Sequence, residues 1–249
     1  MIAVDYALEN AAREFWTLAG TAPEYPCDLE GSLTWAMPLD VRAMPRLRVS
    51  HVNRYARETS LPYHFSGRDR RLCGCLLAYR DRGVVFLDAE MAEDERHFTL
   101  AHELAHFLLD YRAPRVRALA ELGESVRPVL DGLRPPSVEE RVHSVMAGTP
   151  LGVVGHLMER PTAGLPSSAV LSIETRADRL ALELLAPAAL VLEKAVGMRA
   201  IPYRARVDAL ADLLVREHGL PAGIASRYAS GLLHSDGGPS LRDWLSGQE

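Results

Sequence analysis

Residues 98–110, FTLAHELAHFLLD, hold two histidines four apart, His102 and His106, with Glu103 directly after the first. On an α-helix that spacing puts both imidazoles on one face, one turn apart, where they can grip a single ion. Glu103 is displaced around the helix from that pair, so it reaches a water on the ion instead of the ion itself. It can take the proton as the water attacks a carbonyl. Zinc in this position also polarises the carbonyl and brings the pKa of its water towards ~7. The constellation therefore points to metal-assisted hydrolysis of a peptide bond. Phe98, Leu100, Ala101, Leu104, Ala105, Phe107, Leu108 and Leu109 make the helix apolar nearly all round, which marks it as buried. Two imidazoles and a carboxylate in such a place are costly without partners, and a metal supplies one.

A hydrolytic zinc takes three protein ligands and keeps a fourth position open. The pattern HExxHxxGxxH is excluded, because Leu109 stands where its glycine would be and Arg112 where its third histidine would be. The remaining common solution is a carboxylate from a later helix, and residues 172–187, SIETRADRLALELLAP, supply the candidate. Ile173, Ala177, Leu180, Ala181, Leu184 and Leu185 form its apolar stripe. Glu174 flanks the stripe, and Asp178 follows four residues later on nearly the same face. Glu183 is nine residues from Glu174, about half a turn away, so the two cannot share one metal. Glu174 is the expected third ligand. Asp178 is expected to hold a ligand histidine through its other ring N–H, and Glu183 reads as a solvated or capping carboxylate.

FTLAHELAHFLL followed by ETRADRLALELLAP resembles the ImmA/IrrE family of metallopeptidases. That family pairs HExxH with a later E-x-x-A-(N/D)-x-(F)-A-x-x-L-L-x-P helix. The match falls at Glu174, Ala177, Asp178, Ala181, Leu184, Leu185 and Pro187, with Leu180 in place of phenylalanine and Ala186 in place of methionine. It spans roughly residues 71–190. The resemblance implies a zincin-like α+β fold, with a small sheet whose edge strand binds substrate in extended form beside the HExxH helix and the second ligand helix. It implies one Zn2+ per chain and a protein substrate. The substrate it implies is a helix-turn-helix transcriptional repressor, cleaved in a stress or mobile-element response. The gap between the two motifs is longer than the family's, which defines an insertion at about 111–168.

The oxyanion of the transition state needs a donor besides the metal; Tyr111, His143, His156 and Tyr203 are candidates between which the sequence does not choose. Cys73-Gly74-Cys75 is CxC without a second pair, so partly buried strand cysteines are favoured over a separate zinc site. A thiol that plugs the metal is a further hypothesis.

The elements that must position these residues follow from apolar patterning. Helices are predicted at 7–19 and 46–58, joined by a proline-rich connection, 21–45. Short apolar runs at 72–79 and 84–88, separated by Arg80-Asp81-Arg82-Gly83, predict a β-hairpin. A helix spans 94–110. Ser137 with Glu140 forms a capping box that starts another helix, ended by Gly148 and Pro150. Residues 161–168 read as a loop, 170–186 as a helix stopped by Pro187, 205–233 as two helices broken at Gly219-Leu220-Pro221, and 235–249 as a frayed tail. The expected organisation is a metallopeptidase domain over 1–195 and a C-terminal helical region over 196–249. The last two helices have a helix-turn-helix outline, but a plain hairpin packed on the core is favoured.

The 249 residues carry 48% hydrophobic and 24% charged side chains, as ordinary globular chains do. A formal charge of -5 argues against nonspecific nucleic-acid binding. The arginines at 42, 46, 48, 68, 70 and 71 read as a solvated face. Three cysteines suit a reducing compartment. No signal peptide or membrane span is legible, so a cytoplasmic location is expected. Lys194 is the sole lysine among 28 basic residues, a bias of GC-rich, bacterial codon usage. The competing expectations are a DNA-binding or sensor regulator that uses the zincin scaffold without proteolysis, and a peptidase held inactive by the insertion until a signal arrives.

Overall fold

A computed structural model describes residues 5–159, 168–198 and 200–235. The fold is α+β. Four strands, β1 (Leu39–Met44), β2 (Leu72–Tyr79), β3 (Arg82–Asp88) and β4 (Val154–Glu159), form one sheet in the order β1-β3-β2-β4. β1 runs parallel to β3, and the other two pairings are antiparallel. β2 and β3 are joined by a two-residue turn at Arg80 and Asp81, whose φ values of 50° and 61° suit the right-handed twist of a hairpin. The turn thus lies within the predicted stretch, and Arg82 and Gly83 belong to β3.

Strand alternation divides the hydrophobic residues between two layers. Leu76, Ala78, Val85 and Leu87 pack with Phe98 and Leu104 of the helix α4 (Glu93–His106) and with Phe107, which follows it. Cys75, Leu77 and Phe86 pack on the opposite face against Val49, Val52 and Ala56 of α3 (Val49–Glu58). The predicted start of α3 at residue 46 is set back because Arg46, at φ 53°, donates its amide to Asp88 and Leu47 accepts from Leu72. The helix at 7–19 is observed as Tyr6–Ala19. The stretch 21–45 is more than a connection. It contains the helix Leu29–Ala36, capped by Asp28 on the Gly31 amide, and β1.

α4 does not stop at its last histidine. Phe107–Arg112 continue it as a π-helical segment, and Ala113–Leu122 as an α-helix. The capping box at Ser137 and Glu140 starts Val138–Ala147 as expected. That helix buries none of its residues, and Val138, Val142, Val145 and Met146 are exposed. The helix that bears Glu174, Ser168–Leu185, ends just before Pro187. It lies against α4, with alanines at 177 and 181 facing a core that includes Ala101 and Ala105; small residues at such a crossing let helix axes approach closely. Tyr203–His218 and Ala222–Ser235 form the C-terminal pair. Leu210, Leu214, Leu220, Tyr228, Leu232 and Leu233 are buried in the same core as α4. Of the expected loop over 161–168, Ser168 begins a helix, and of the expected tail over 235–249, Ser235 ends one; 161–167 and 236–249 lie outside the described residues.

Tyr111 is buried under the hairpin turn, where its hydroxyl accepts the Asp81 amide at 2.8 Å. Arg115, also buried, pairs there with Asp81 and Asp131. Tyr111→Phe should therefore lower stability by about 1 kcal/mol without changing metal content. Urea midpoints and metal analysis on one preparation check this, and loss of metal would return Tyr111 to the site.

Candidate metal centre

Every residue from Phe98 to His106 is buried, including His102, Glu103 and His106. The two imidazoles face each other, with Nε2 atoms 3.1 Å apart. Each ring is fixed from behind by a carboxylate. His102 Nδ1 lies 2.8 Å from Asp178, and His106 Nδ1 lies 2.7 Å from Asp110. An ionised carboxylate only accepts hydrogen bonds, so each ring carries its proton on Nδ1 and turns its Nε2 lone pair inward. Two lone pairs 3.1 Å apart repel unless a proton or a cation lies between them.

The helix that bears Glu174 closes the arrangement. Glu174 places Oε2 3.3 Å from His102 Nε2 and Oε1 3.8 Å from His106 Nε2. His156, on β4, completes it: Nε2 is 3.0 Å from Glu174 Oε1, and Nδ1 is 2.9 Å from Glu103 Oε2. The ligand atoms of His102, His106, His156 and Glu174 all lie within 4.8 Å of one another, so the group could hold a metal ion. A tetrahedron with bonds of ~2.1 Å has edges of about 3.4 Å, and the His102–His106 Nε2 separation of 3.1 Å and the His102 Nε2–Glu174 Oε2 separation of 3.3 Å lie close to that value. Glu103 Oε1 is buried where α4 meets Gly74 of β2, and Oε2 faces His156. The donor set, imidazole and carboxylate, is one that zinc accepts.

The electrostatics demand positive charge in this cavity. Burial opposes protonation of His102, yet its hydrogen bonds with Asp178 and Glu174 raise its pKa to about 9. Burial likewise opposes protonation of His156, and Glu103 and Glu174 raise it to about 10. For Glu174, burial disfavours the charge, but hydrogen bonds with three histidines hold its carboxyl well below the usual carboxylate range. A divalent cation meets the same demand that extra protons meet.

Of the four expected oxyanion donors, only His156 reaches this cluster. Tyr111 lies under the hairpin, His143 lies 3.5 Å from Glu121, and the Tyr203 hydroxyl donates to the Ser230 carbonyl between the C-terminal helices. Glu183 stands at the far end of its helix, where it accepts the Ala188 amide. The metal-capable group contains no cysteine among the described residues. Burial raises the Cys27 thiol to about 12, and burial with the nearby Glu103 charge raises that of Cys75. Asp110 went unassigned in the sequence; its i,i+4 spacing from His106 was the available signal, and it also pairs with Arg176. Gly74 is needed where β2 crosses α4, since a Cβ there would meet Thr99 at 2.6 Å and Glu103 Oε1 at 2.9 Å.

Residues 60–124 match the family model of the IrrE N-terminal-like domain, Peptidase_M78. That family is one of metallopeptidases. The match takes in β2, β3 and α4, and it ends before β4 and the helix that bears Glu174. No curated protein and no solved structure matches the chain. No described helix is long and apolar enough to cross a membrane.

Asp110→Ala and Asp178→Ala should each weaken zinc binding by roughly 10–100-fold, because each removes the acceptor that orients a histidine. Competition with a chromophoric chelator measures this. Unchanged affinity in both would show that the two carboxylates do not act on the metal.

Proposed function

We propose that the protein is a zinc-dependent metallo-endopeptidase of the cytoplasm, with His102, His106 and Glu174 as metal ligands and Glu103 as general base. The observation that carries this reading is the inward-facing pair of Nε2 atoms, met by Glu174 and backed by two carboxylates. Zinc held there would polarise the scissile carbonyl and acidify a water. Glu103 would take the proton of that water and pass it to the leaving amine. Asp178 and Asp110 hold the two imidazoles in the tautomer that leaves Nε2 free. The closed helix packing around Glu103, which is fully buried, excludes competing water. The substrate we propose is a helix-turn-helix repressor, cleaved in a stress or mobile-element response; its support is the sequence resemblance.

The competing DNA-binding reading has less support. Arg46, Arg48 and Arg71 are engaged with Glu90, Asp69 and Asp88, and Arg42 lies over Tyr55. The C-terminal helices spend their apolar faces on the core. The cysteines at 27, 73 and 75 are thiols, which supports a reducing compartment.

Glu103→Gln should keep about one zinc per chain and lose cleavage of a repressor substrate by roughly 10²–10⁴-fold. Glu174→Gln should lose the zinc, and Glu183→Gln should keep it. Metal analysis beside a cleavage assay separates these outcomes. A well-folded wild type that takes up no zinc would overturn the enzyme.

A further inference from the structure

β4 occupies a position with two consequences. It pairs antiparallel with β2, the strand packed over Glu103 through Gly74. It lies outside the stretch that matches the peptidase family, and it belongs to the long segment between the two metal motifs. Without β4, β2 would be an edge strand beside the metal, where an extended peptide can add by backbone hydrogen bonds. β4 fills that edge.

The register is specific. His156 pairs with Leu76, whose side chain packs on the α4 face, so the imidazole is delivered to the same face. Its neighbour Gly155 faces the other way and is seated on Tyr63 and Phe65; a Cβ there would meet Phe65 at 2.6 Å and Tyr63 at 2.7 Å. A slip of one residue would remove His156 from the site and force a larger residue onto that aromatic pair.

His156 stacks its ring on that of His106, with centroids 3.6 Å apart and planes 25° apart. Its Nε2 faces the metal-capable cavity beside Glu174, and its Nδ1 is held by a carboxylate, here Glu103. Metal-ligating histidines characteristically hold their second ring nitrogen against such an acceptor. A catalytic zinc keeps one position open, and four protein ligands close it.

We infer that this conformation is a self-occupied, latent form of the site, in which His156 is the fourth metal ligand and β4 takes the place of the substrate strand. The inference rests on the metallopeptidase reading and adds its regulation. Glu103, the proposed base, is held by the same imidazole that fills the open position. Cleavage then requires β4 to leave β2, and a substrate strand competes with it for one edge.

Cobalt(II) substitution of the full chain tests this with a readout independent of activity. In His156→Cys, a thiolate at position 156 should add a sulfur-to-cobalt charge-transfer band in the near ultraviolet that the wild type, with its own three cysteines, lacks. In His156→Ala, zinc affinity should fall at least tenfold, and cleavage of a quenched peptide library should rise. Wild-type spectrum and affinity in both variants would overturn the inference and leave the metallopeptidase reading intact. So would His156→Ala that loses cleavage at unchanged affinity, which would make His156 an oxyanion donor. A wild type that binds neither cobalt nor zinc would overturn both.

Discussion

The fold depends on keeping polar chemistry inside an apolar helix. From Phe98 to His106, α4 is buried without a gap, yet it carries two imidazoles and a carboxylate. Burying such groups unpaired costs several kcal/mol each, so the surroundings must answer them. They do so from three directions. Asp110 comes from the π-helical continuation of the same helix, Asp178 and Glu174 from the helix packed alongside, and His156 from the sheet. Each element near the centre is placed so that it completes one of these bonds.

The π-helical segment fits this account. Phe107 and Leu108 remain in the core, while Asp110 stays close enough to His106 to hold its Nδ1 and to pair with Arg176. Such segments recur at functional sites because they re-aim side chains without ending a helix. The hairpin turn is secured by the next part of the same structure, through Tyr111 and Arg115 on Asp81. The helix of the metal motif and the strands that cover it are thereby tied at both ends.

The sheet divides its work by alternation. One face of β2 meets α4 through Gly74, Leu76 and Ala78, and the other face builds a second core with α3. Glycine at 74 reads in sequence only as the spacer of CxC. In space it is the point where backbone must approach Glu103, which also explains why two cysteines flank it without forming a metal site. β4 uses the same alternation in reverse, with Gly155 against aromatic rings and His156 towards the metal-capable group.

Local chemistry was legible in the sequence. The i,i+4 histidines, the apolar stripe of the second helix, the hairpin, the capping box at Ser137 and the stop at Pro187 rest on spacings within one or two turns, and the observed elements follow them. Asp178 beside His102 follows from helix periodicity once the two helices are adjacent. β1 and β4 were not legible, because each is short and partly exposed, and each is defined by a partner strand distant in sequence. The choice among Tyr111, His143, His156 and Tyr203 had no local basis either. Each is a polar aromatic residue with nothing beside it to mark a role. Only the register of β4 on β2 brings His156 to Glu103 and Glu174, because strand pairing is a long-range contact that residue spacing does not encode.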